Sequence, residues 1–118
     1  MKSIHRLISV LLLVGVGIEF FLAGAGAFGA TSFHSHTVMG MILLAGGVLT
    51  LLAAVGARRS IGLGAIVAVL IGVQVLLGHV GEKHPWVGAV HGLVAGIVAA
   101  VVGLNARKAV RPGITQQM

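Results

Sequence analysis

Four apolar stretches, separated by connections of only a few residues, constrain this chain more than any other feature. They cover about 7–29, 33–57, 61–80 and 86–105. A helix rises about 1.5 Å per residue, so each stretch is long enough to cross a hydrocarbon layer of roughly 30 Å. Of the 118 residues 58% are hydrophobic, against eight basic and two acidic side chains, which is not the composition of a soluble domain. The expectation is an all-α integral membrane protein: a single membrane domain over 1–118, built as a four-transmembrane-helix bundle. Short loops make consecutive helices antiparallel neighbours, hence an up-down-up-down order.

The excess of positive charge is a topology signal. Lys2 and Arg6 precede the first stretch, Arg58 and Arg59 separate the second from the third, and Arg107, Lys108 and Arg111 follow the fourth. With four crossings these seven fall on one side, and the positive-inside rule makes that side cytoplasmic, with both termini inside. The expected location is therefore the inner (cytoplasmic) membrane, multi-pass, with lipid as the main partner. Charges distributed this way give no reason to expect nucleic-acid binding. The start, "MKSIHR" before an apolar run that reaches "AGAGA", resembles a signal peptide. The run is longer than such a segment needs and contains Glu19, so it reads as a retained first span. The chain has no cysteine, which excludes disulfides, thiolate metal sites, iron–sulfur clusters and haem attached through Cys-x-x-Cys-His.

Shifted by 55 residues, the chain matches itself weakly: Gly17 falls on Gly72, Leu22 on Leu77, Gly26 on Gly81 and Ile42 on Ile97. Rare polar residues coincide as well, Glu19 with Gln74 and His36 with His91. Two duplicated helical hairpins related by an axis along the membrane normal would produce this pattern. That axis would set His36 and His91 facing one another.

His36 lies near the outer end of the second stretch and His91 near the outer end of the fourth, at depths of roughly 5 and 8 Å. These two stretches are diagonal in a square bundle. Two imidazoles facing across a bundle provide the axial geometry of a six-coordinate haem iron. Small residues flank them: Gly40 one turn from His36, and Gly88 and Ala95 around His91. They leave room for a flat ligand. Here the chain resembles the bis-histidine membrane cytochromes b, whose four-helix cores hold haem between the second and fourth helices. In that family each ligand helix often carries two histidines fourteen apart, whereas here the second positions are Thr50 and Asn105. The resemblance implies one haem b on the outer side and no inner site. It also implies electron transfer to or from quinone or a neighbouring respiratory complex. A looser likeness, to small bacterial four-helix membrane proteins with a histidine in the second and fourth spans, adds no mechanism. Self-association into a homo-oligomer stays open.

Other polar residues have several readings. His79, near the outer end of the third stretch, is an alternative axial ligand or a propionate partner, and Lys83 could equally pair with propionates. His34, Glu82 and His84 lie near the same surface without a metal-binding spacing. Glu19 sits near mid-membrane, where charging a carboxyl is costly. It reads as a proton-relay group, a group that hydrogen-bonds a quinone, or a partner of Gln74 across the pseudo-axis. Two further functions compete with the cytochrome. The length and the carboxylate in the first span resemble the small proton-coupled multidrug transporters, with Glu19 as coupling residue, but the charge bias and the absence of Tyr speak against them. A non-catalytic accessory subunit docking through Gly62, Gly64 and Gly72 would leave the histidines unexplained.

Overall fold

Each apolar stretch is helical in the computed structural model, which describes residues 1–111. The helices are α1 (Lys2–Ala27), α2 (His34–Ala57), α3 (Ile61–Gly81) and α4 (Pro85–Val110), with no strand among the described residues. All four are long and apolar enough to cross a membrane. Hydropathy and helix do not end together. α1 starts at Lys2 and α4 runs to Val110, because basic residues at a helix end keep the backbone hydrogen-bonded while their long side chains reach out to water. α1 stops at Ala27, short of the expected 29, where Gly29 turns the chain at φ 74°. α4 opens on Pro85, whose fixed φ suits a first helical turn.

The helices form a closed ring in which α1 packs on α2, α2 on α3, α3 on α4 and α4 on α1. α2 and α4 therefore face each other across the diagonal, as do α1 and α3. The core is apolar: Leu12 and Val16 from α1, Leu43 from α2, Val67 and Ile71 from α3, and Val98 and Val102 from α4. Buried positions recur at the same 55-residue offset. Ser9 and Gly64, Leu12 and Val67, Val16 and Ile71, Leu43 and Val98, Gly47 and Val102, Thr50 and Asn105, and Ala54 and Ala109 are all buried pairs. The two hairpins thus turn equivalent faces inward.

Burial is uneven along the bundle. No residue from Gly17 to Ile42, or from Gly72 to Ile97, is fully buried, so one half is close-packed and the other is open. The close-packed half ends in a polar layer. His5, Ser9, Thr50 and Asn105 are each at most 1% exposed, and the Asn105 Nδ2 donates to Ser9 Oγ at 3.1 Å. Thr50 Oγ1 donates back to the Gly46 carbonyl at 2.8 Å, a local bond that needs no partner from another helix.

Candidate functional site

In the open half, every helix contributes one polar side chain to a single cluster: Glu19 from α1, His36 from α2, Gln74 from α3 and His91 from α4. The rings of His36 and His91 come from diagonal helices, yet their centroids lie 6.0 Å apart with planes at 82°.

Each imidazole is held from behind. The Nδ1 of His91 lies 3.0 Å from the main-chain carbonyl of Gln74. A carbonyl only accepts, so this nitrogen carries the proton and Nε2 keeps its lone pair. The Gln74 amide Nε2 in turn donates to the His91 carbonyl at 2.8 Å and stands 3.5 Å from the His91 Nε2. This locks the turns of α3 and α4 together around the ring. The Nδ1 of His36 lies 3.1 Å from Glu19 Oε1, with both side chains about one-fifth exposed or less. That approach is out of line for a straight hydrogen bond, so the two form a close polar contact. Glu19 Oε2, His36 Nδ1 and Gln74 Oε1 have no hydrogen-bond partner among the described residues. The cluster therefore has unspent polar capacity in a part of the bundle that is not close-packed.

Of the readings of Glu19, a bond to Gln74 across the pseudo-axis is not formed in this structure. α1 and α3 are diagonal and each polar residue meets the histidine of its own hairpin. The small residues also serve differently from the reading above. A Cβ at Gly40 would lie 3.2 Å from Glu19 Oε1, so this glycine makes room for the carboxyl rather than for a flat ligand. Gly88 is where α4 touches α3, since a Cβ on Gly81 would stand 2.8 Å from the Gly88 Cα. Ala95, one turn beyond His91, is half-buried, and His79 is exposed and outside the cluster.

Two neighbours escaped the sequence reading. Gly78 lies against the His91 ring, its would-be Cβ 3.2 Å from Cε1. The ring of Phe33 packs on Gly26 and meets His36 edge-on at 6.2 Å. The offset could have shown Phe33, which corresponds to Gly88 of the second hairpin, but not Gly78, which falls on Ala23. Of the glycines expected to dock a partner, Gly64 packs against Leu51 and Ala54 of α2 and Gly72 touches Leu44, which leaves only Gly62 open. His34 lines a shallow groove of about 290 Å³ with Leu22, Ser35, Val38, Met39 and Ile42.

Among the described residues no three His, Cys, Asp or Glu come together as metal ligands. Comparison with protein-family models, with characterised proteins and with solved structures finds no match to this chain.

Proposed function

We propose that the chain crosses a membrane four times in up-down-up-down order with both termini cytoplasmic, and that it binds one b-type haem through His36 and His91 near the outer side. The observation that carries the reading is the pair of imidazoles from diagonal helices, 6.0 Å apart, each with its Nδ1 against an acceptor. Haem supplies one-electron redox chemistry when bound. The protein's own residues do the rest. His36 and His91 would offer Nε2 as ligand atoms, the His91 Nε2 giving up its 3.5 Å contact with the Gln74 amide. The Gln74 carbonyl would fix the tautomer of His91 and raise the basicity of that ring, Glu19 stands against the Nδ1 of His36, and the apolar core would exclude water from the inner side. With haem bound, the chain would carry one electron between a donor at the outer surface and membrane quinone or a neighbouring complex.

The same core weighs against proton-coupled transport. Leu12, Val16, Leu43, Val67, Ile71, Val98 and Val102 close the bundle between Glu19 and the inner polar layer, whereas a coupling carboxylate needs access to both sides. Haem titration of the purified protein, compared with His36→Ala and His91→Ala, tests the proposal. Binding at one haem per chain that each substitution abolishes supports it.

A further inference from the structure

The end of the bundle opposite the histidines is a surface of one sign. It gathers Lys2 and Arg6 of α1, Arg58 and Arg59 of the α2–α3 turn, and Arg107, Lys108 and Arg111 at the end of α4, while the only acidic residues, Glu19 and Glu82, lie towards the other end. Arg59 organises this surface. Its Nη2 donates to the main-chain carbonyls of Lys108 and of Arg111, each at 2.7 Å. Its two neighbours in the turn, Arg58 and Ser60, both take the left-handed conformation, at φ 50° and 56°, which non-glycine residues rarely adopt. The bonds from Arg59 pin that turn to the end of α4.

Two consequences follow for charge. The last carbonyls of a helix carry the negative end of its dipole and would repel an anion. Here a guanidinium covers them. The same contact brings the exposed side chains of Arg58, Lys108 and Arg111 to one place, and none of the three has an acidic or hydrogen-bonding side-chain partner among the described residues. α1 and α4 have 26 residues each. At about 1.5 Å per residue they outrun a hydrocarbon layer of roughly 30 Å, so their charged ends reach the headgroup layer.

We infer that this face binds the phosphate-bearing headgroup of anionic phospholipids, with Arg58, Lys108 and Arg111 as the contacting cations and Arg59 as the residue that assembles them. The inference rests on the four-span placement but not on haem. Resistance of the full-length chain to extraction from membranes at alkaline pH reads that placement separately.

The test measures retention of phosphatidylglycerol against phosphatidylcholine by native mass spectrometry of the full-length protein in detergent, alongside thermal unfolding. At about fivefold per cation, the three cations should make the wild type prefer phosphatidylglycerol on the order of a hundredfold at low salt, with the preference shrinking as salt is raised. The triple variant R58Q/K108Q/R111Q alters only exposed side chains. It should unfold at the wild-type temperature in detergent alone and lose the preference. Arg59→Lys keeps the charge but not the fork, and should weaken the preference while leaving the surface cations in place. Equal retention of the two lipids, or a preference that survives in the triple variant, overturns the inference. So does full displacement of the lipid by millimolar inorganic phosphate, which would mark a site for free phosphate.

Discussion

Glu19 Oε1 stands 3.1 Å from the Nδ1 of His36, and the equivalent position of the second hairpin, Gln74, meets the Nδ1 of His91 with its main-chain carbonyl at 3.0 Å. In both hairpins the histidine lies 17 residues after its partner, across one interhelical seam. The two rings are thus held by the same architecture but different chemistry. One acceptor is a carboxyl that mutation can remove, and the other is a backbone group that it cannot.

Replacing Glu19 with Gln keeps the shape of the side chain and an acceptor oxygen, but exchanges the acid for a less basic amide. Mutating the partner behind a metal-bound histidine typically costs about 10–100-fold in affinity. Glu19→Gln should lower haem affinity by about that amount. It should also raise the midpoint potential, because the less basic His36 stabilises the oxidised iron less. Haem titration and potentiometry measure the two effects.

Gln74→Ala should do less. The acceptor of the His91 Nδ1 is the main chain and survives the substitution, so the loss is the amide bond to the His91 carbonyl, about 1 kcal/mol. Gly78→Val should do more than Gln74→Ala, since a side chain there meets the His91 ring within 3.2 Å and turns it away. The order of haem affinities, wild type, then Gln74→Ala, then Gly78→Val, checks this.

Gly81→Ala should destabilise the bundle by about 1–3 kcal/mol, because its methyl would lie 2.8–2.9 Å from the backbone of Gly88 and force α3 away from α4. Gly92→Ala, where a methyl meets nothing within 4 Å, should leave the unfolding temperature unchanged or slightly raised. Thermal unfolding in one detergent separates the two.

Asn105 is fully buried and bonded to Ser9. Asn105→Ala should cost about 1–3 kcal/mol by stripping Ser9 of its partner. It should leave the haem spectrum untouched, since fourteen residues of α4, about 21 Å, separate it from His91. Unfolding temperature and absorption spectrum, recorded on the same sample, check both halves of this expectation.

The four helices and the coincidence of His36 with His91 were legible because hydropathy and rare polar residues mark them directly. The partner of Glu19 was not. The pseudo-axis suggested Gln74, but a square bundle makes sequential helices neighbours and puts α1 and α3 on a diagonal, so the carboxyl meets α2. Gly40 and Gly88 were legible as small residues but not by what fills the space beside them, a carboxyl in one case and a backbone in the other. His5 lay outside the first apolar stretch and still is 1% exposed, since α1 continues beyond the hydropathy boundary and packs there. Interhelical neighbours depend on rotation about each helix axis, which composition alone does not encode.

The reduced-minus-oxidised optical spectrum of the full-length protein, purified in detergent from cells supplied with haem, tests the central claim most directly. The account predicts a single b-type spectrum at one haem per chain, lost in both His36→Ala and His91→Ala. A folded, helical protein with no Soret band, or a band unchanged in both variants, would contradict it.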